Sequence, residues 1–236
     1  MQILQAALAD VEAQLGDSTE RLKATFDDVI LQAEQIAYNK YLNAEAVYGG
    51  QILTAFLNEL FGEDLSADLA TMEREFRQHF HLLDKFFLSL AQGRKSRAGS
   101  AFEFFHHALF RKLGYPFEEQ TLLSDSKPDF LMPSAAYYQQ NPLHSIVFTA
   151  KRTLRERWRQ ITTEGTRGIG MYLATIDSKV TSQQLQHMVG HKIFLVVPEQ
   201  IRRKAYPDAT NVLSFARFFE DHLDPKLRIW KRDGVL

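Results

Sequence analysis

The chain has 236 residues, a formal net charge of −1, 45% hydrophobic and 24% charged residues, enough to bury a core as one domain or one domain with a helical appendage. It has no cysteine, which excludes disulfides and cysteine-ligated zinc. No apolar run approaches the roughly 20 residues that cross a bilayer, so no membrane partner is expected.

Along the chain, Met1 to Leu15 is amphipathic and carries acids, so it does not read as a signal peptide, and the absence of cysteine fits a reducing cytoplasm as the expected location. Residues 1–90 read as helical almost throughout, with Leu4, Ala7, Leu8, Val11 and Leu15 at helical spacing, and again Phe76, Phe80, Leu83, Phe87 and Leu90. Gly49-Gly50 and Phe61-Gly62 are expected breaks. After Gly93 the texture changes, and an apolar helix over 98–113 is predicted, stopped by Gly114. Strands follow near 117–122, 128–132 and 145–151. Thr153 then caps a helix running to about Glu164. Further strands are expected near 169–176 and 192–197, a helix near 181–190 between them, and a last helix over about 211–222. The segment Gly165-Thr166-Arg167-Gly168-Ile169-Gly170 reads as a turn into a strand. This order describes an α/β fold with a mixed sheet, divided as a helical region 1–90 and a core 91–236.

The charges are unevenly spread. Gln92-Gly93-Arg94-Lys95-Ser96-Arg97 is one basic segment. In residues 151–159, Lys151, Arg152, Arg155, Arg157 and Arg159 stand against one acid, Glu156. A locally basic face on a near-neutral protein suits a polyanion.

The chemistry concentrates nearby. Asp129 sits in Lys127-Pro128-Asp129-Phe130-Leu131, and Lys151 closes the apolar run Ile146-Val147-Phe148-Thr149-Ala150. An Asp and a Lys at neighbouring strand ends are parts of a metal-dependent phosphodiesterase site. Mg2+ takes one or two carboxylates, with water and phosphate completing its shell. A second carboxylate is usual two residues before such a Lys, but that position is Thr149. Glu164, 13 residues after Lys151, is the substitute. Glu103, amid Phe102, Phe104 and Phe105, is a further acid, since a carboxylate among apolar residues is costly unless paired, metal-bound or exposed. Arg155-Glu156-Arg157 has the residue types that read C·G edges: Arg donates twice to guanine and Glu accepts from cytosine. His79-Phe80-His81 and His106-His107 read as surface or partly buried histidines rather than ligands.

These four stretches together (Arg94 to Gly99 leading to Glu103, the Pro-Asp segment, Lys151 with Arg155-Glu156-Arg157, and Glu164) resemble the type II restriction endonucleases of the PD-(D/E)XK superfamily. Within it they are similar to the EcoRII/SsoII/PspGI group, CC…GG-cutting relatives of NgoMIV. The likeness covers roughly residues 90–200. It implies an Mg2+-dependent endonuclease acting on double-stranded DNA, with Asp129, Lys151 and Glu164 at the active site and Glu103 in support. It implies base reading by Arg155, Glu156 and Arg157 and a minor-groove contact from Gln92; the basic residues Arg94, Lys95 and Arg97 read either as phosphate contacts, which would fix register without specifying bases, or as a solvated loop. A palindrome requires a two-fold reader, hence a homodimer, and a cutting enzyme implies a cognate methyltransferase. Some relatives flip central bases; Tyr38, Tyr41 and Tyr48 are the aromatic candidates here. CCGG, CCNGG and CCWGG all remain open. The competing readings are a repair or modified-DNA nuclease of the same fold and a non-catalytic DNA-binding protein.

Overall fold

The computed structural model describes residues 1–15, 18–62, 68–121, 127–154 and 170–236. Five helices come first: α1 (Gln2–Leu15), α2 (Thr19–Ala24), α3 (Phe26–Phe61), α4 (Leu69–Gln78) and α5 (Phe80–Lys112). The sheet strands follow as β1 (Glu118–Glu119), β2 (Phe130–Met132), β3 (Ile146–Ala150), β4 (Met171–Ala174), β5 (Ile193–Val197) and β6 (Val212–Ser214). Between strands lie α6 (Ala135–Gln140), α7 (Ser182–Gly190) and α8 (Glu199–Ala205). The chain closes with α9 (Phe215–Arg217), a π-turn over Phe218–Leu223 and α10 (Asp224–Arg232).

The six strands form one sheet in sequence order. β1 and β3 both run antiparallel to β2, and β3 to β6 run parallel, which makes the sheet mixed as the sequence predicts. The two-residue period of the strands sorts the core into two faces. Phe130, Phe148, Ala150, Tyr172 and Val196 pack with α1, α3, α5 and the C-terminal helices. Leu131, Val147, Leu173, Leu195 and Val197 pack with Leu185 and Met188 of α7.

Several local expectations change. α3 runs unbroken through Gly49-Gly50, which is therefore no break, and the helix predicted over 98–113 begins instead at Phe80, running through Gly93 as α5. A Cβ on Gly49 would lie 3.7 Å from Leu90 and Phe86, which shows α5 packed against α3 there. That contact outweighs the roughly 1 kcal/mol that a helical glycine costs. Gly62 and Gly114, with φ of 78° and 75°, do end their helices, in a region that L side chains avoid. The predicted last helix starts too early: Val212–Ser214 pairs with β5 as a strand, and the helix follows it to Arg232. The short helices α6 and α8 are also additions. The helix predicted from Thr153 to Glu164 and the turn at 165–169 fall outside the described residues beyond Leu154.

His106 on α5 is wholly buried rather than superficial, ringed by Phe26, Phe102, Phe110, Phe148 and Phe215. Its Nδ1 lies 2.7 Å from the Phe102 carbonyl, and burial pushes its pKa down to about 4. The unfolded chain takes up this proton from pH ~6.5 downward, whereas the fold resists until about 4. The stability this neutral histidine allows is therefore complete above pH ~6.5 and falls by on the order of 3 kcal/mol on the way to pH ~4. Asp27, pushed up to about 6 by burial, works in the opposite sense. His106→Phe is expected to lose less stability than the native protein between neutral pH and pH ~4, measured by urea unfolding. Parallel losses in the two proteins would refute this.

Candidate active site

Lys151 follows β3, and its amide donates to the Ala174 carbonyl at 2.9 Å, extending the β3–β4 ladder by one bond. Asp129 precedes β2, and its carbonyl accepts from the Gln120 amide at 3.2 Å. The antiparallel register sets Phe130 opposite Phe148, which puts Asp129 alongside the end of β3. There Asp129 Oδ2 accepts the Ala150 amide at 2.8 Å. Both acids and the lysine then meet. Lys151 Nζ donates to Glu103 Oε1 at 2.8 Å and to the two Asp129 oxygens at 3.0 and 3.1 Å. Glu103 is therefore paired, not simply an exposed acid on an apolar helix.

Two carboxylates around one ammonium leave a net negative charge on the cluster. Burial, with the repulsion of Glu103 added, holds Asp129 above the ordinary carboxylate range against the pull of Lys151 and the Ala150 amide. Burial acts to lower Lys151, but the attraction of Asp129 and Glu103 outweighs it, so the ammonium is raised and stays protonated at neutral pH. Hard oxygen donors in a net negative cluster fit a divalent cation such as Mg2+. Among the described residues no group of three His, Cys, Asp or Glu is poised to hold a metal by itself. Asp129 and Glu103 are two such donors, and Glu164 lies outside the described residues.

A cleft of about 290 Å³ opens beside this cluster, lined by Lys95, Gly99, Glu103, Lys151 and Arg152. Because α5 is continuous, Gln92, Lys95, Gly99 and Glu103 recur at helical spacing along one face of a single rigid element. Gln92 is exposed three turns before Glu103, roughly 16 Å along the axis. Arg94 and Arg97 lie elsewhere: both pair with Glu45 of α3, at 3.1 and 2.5 Å. Arg97 also lies over the Tyr41 ring at 5.6 Å. Tyr38 and Tyr41 line a small cavity with Glu34, Arg97 and Arg152, while Tyr48 is exposed. Arg155, Glu156 and Arg157 lie outside the described residues. Glu34 and Glu45 carry no signal in the sequence, and Arg152 only that of a basic run, because their partnerships join helices and strand ends far apart in the chain.

The sequence model of the family described as EcoRII C terminal matches residues 64–219. SsoII, a type II restriction enzyme of Shigella sonnei, is 28% identical over 189 residues, which is 74% of this chain and 62% of SsoII. EcoRII, a type II restriction enzyme of Escherichia coli, is 34% identical over 141 residues, 56% of this chain and 35% of EcoRII. The alignments thus span about three fifths of one relative and a third of the other. Metal-depleted Ecl18kI in complex with uncleaved, modified DNA superposes with a TM-score of 0.82 at 21% identity, over 96% of this chain and 78% of that one. The PspGI–substrate DNA complex gives 0.67 at 20% identity, over 96% and 92%. The mixed sheet with flanking helices is thus the fold of these restriction endonucleases.

Proposed function

The chain belongs to the EcoRII C-terminal family, and from that premise we propose that it is a type II restriction endonuclease that hydrolyses double-stranded DNA with Mg2+ at a palindromic CC…GG site. The observation that carries this reading is the meeting of Asp129, Glu103 and Lys151, from a strand start, a helix and a strand end, beside a cleft that Glu103 and Lys151 line. Each residue has a distinct task. Asp129, its carboxylate oriented by the Ala150 amide, and Glu103 offer oxygens to the cation, with Glu164 completing the acids. Lys151, kept charged by its two neighbours, orients the attacking water and offsets charge on the phosphate. A divalent cation bound there lowers the pKa of that water and neutralises charge developing at phosphorus.

Sequence reading falls to Arg155, Glu156 and Arg157, with Gln92 reaching the minor groove and Lys95, Arg94 and Arg97 contributing to backbone contacts. Arg94 and Arg97 must exchange Glu45 for phosphate to do so. A homodimer matches the palindrome. The stretch from Tyr38 to Ser100 has no buried residue among those described, and it exposes Val47, Tyr48, Phe80 and Phe87, which supports the helical region 1–90 as the dimer and DNA-contacting surface. Tyr38, Tyr41 and Tyr48 are the aromatic candidates to meet a flipped central base. Among the described residues no helix is long and apolar enough to cross a membrane, and a bacterial cytoplasm beside a cognate methyltransferase completes the reading.

Digestion of a sequenced plasmid by purified protein with Mg2+ is expected to give discrete ends at one CC…GG palindrome, and mapping them settles CCGG, CCNGG or CCWGG. Arg155→Ala and Arg157→Ala are each expected to lose roughly 1–3 kcal/mol of discrimination at a C·G pair. Ragged ends, or none with duplex binding intact in EDTA, would count against the endonuclease.

A further inference from the structure

We propose that Arg152 holds a DNA backbone phosphate beside the scissile one, and that Glu34 of α3 is the positioning residue that fixes its guanidinium for that contact. The inference rests on the active-site reading above and adds to it a residue pair outside the acids and the lysine.

Arg152 follows Lys151 and lines the same cleft. Its backbone is pinned on both sides. Thr175 Oγ1 donates to its carbonyl at 3.1 Å, the preceding amide is bound to Ala174, and the Leu154 amide donates to Asp177 Oδ2 at 3.0 Å. Its side chain is pinned at one atom, Nε, which donates to Glu34 Oε2 at 2.7 Å. Among the described residues its two Nη groups make no hydrogen bond. A guanidinium held by Nε has a fixed plane and two parallel donors left over, which is the geometry that grips phosphate oxygens two at a time.

The partner is unusual. The Glu34 side chain is only 6% exposed, while that of Arg152 is 36% exposed. Glu34 Oε1 is buried and finds no hydrogen-bond partner among the described residues. Burial drives its pKa up, against the pull of Arg152. An apolar side chain in its place would avoid the cost of desolvating a carboxylate. What the carboxylate provides is direction, tying the helical N-terminal half to the residue next to Lys151. Arg94 and Arg97, by contrast, are each engaged by Glu45.

The test uses the full-length protein, with melting temperature as a control for folding. Salt-dependent binding of duplex DNA is measured in EDTA, and cleavage of the mapped plasmid with Mg2+. Arg152→Ala is expected to flatten the slope of log K against log salt by about 0.9 per contact and to lower kcat/KM by roughly 10²-fold. Arg152→Lys restores the slope, because it restores the charge, but not kcat, because a lysine lacks the paired donors. Glu34→Gln keeps the slope and lowers kcat. Unchanged slope and kcat/KM in Arg152→Ala would overturn the phosphate contact. A Glu34→Gln variant that melts earlier yet cuts with native kcat would reduce Glu34 to a structural residue and overturn the positioning role. Asp129→Ala separates the two levels. If it still cuts, the active-site reading fails. If it is inactive while Arg152→Ala is normal, only the present inference falls.

Discussion

Asp129→Ala and Lys151→Ala are each expected to reduce cleavage by at least ~10³-fold while leaving duplex binding in EDTA within a few-fold of native. Removing one preorganised electrostatic group from a site of charge development typically costs ~10²–10³-fold in rate, and loss of a cation ligand removes the water activation as well. Binding survives because affinity for duplex comes chiefly from many phosphate contacts spread over the protein. The two variants leave different residues unpaired. Without Lys151, Asp129 and Glu103 face each other with no cation between them; without Asp129, Lys151 keeps Glu103 at 2.8 Å. Glu164→Ala is expected to behave similarly, because Thr149, buried within β3, cannot supply a carboxylate. Steady-state cleavage of a supercoiled plasmid reads all three. Native rates in Asp129→Ala or Lys151→Ala would remove the proposed site, and a native rate in Glu164→Ala would remove only the relocated acid.

Phe110→Ala is expected to destabilise the fold by about 3–5 kcal/mol, with the urea midpoint falling and the m-value unchanged. Phe110 is wholly buried on α5, with ring centroids of Phe148 at 5.1 Å, Phe130 at 5.7 Å, His106 at 5.8 Å and Phe26 at 6.0 Å. It thus joins a helix of the N-terminal half, the helix carrying Glu103 and the two strands whose ends hold Asp129 and Lys151. The neighbours are themselves large rings held in contact with further rings, so they collapse poorly into a cavity, which puts the cost in the upper part of the usual range. A loss under about 1 kcal/mol would mean that this aromatic cluster repacks freely.

The local signals that proved legible are those in which a residue's chemistry and the chain's period agree. β3 reads as a strand because five apolar or β-branched residues precede the Lys, and all five are buried. Gly62 and Gly114 end helices because their backbones adopt positive φ. Glu103 stands out because an acid amid phenylalanines needs a partner, and it has one in Lys151. Where the local signal was weak, packing decided instead. Gly49-Gly50 looks like punctuation, yet α3 passes through it because it lies against Phe86 and Leu90 of α5 there. Val212–Ser214 carries too little pattern to choose between helix and strand, and the exposed edge of β5 makes the choice.

By itself, then, the sequence determined the α/β class, the Asp–Lys pair and the acid that joins it, since each depends on residue type and spacing within one or two elements. Only the tertiary structure decided that Gln92, Lys95 and Glu103 share one rigid helix, that Arg94 and Arg97 turn toward Glu45, and that a buried Glu34 reaches across 118 positions to Arg152. Ion pairs of that kind leave no periodic trace in a chain. They exist because folding largely buries a carboxylate, Glu34 or Glu45, beside a half-exposed arginine, and a buried charge is costly unless paired.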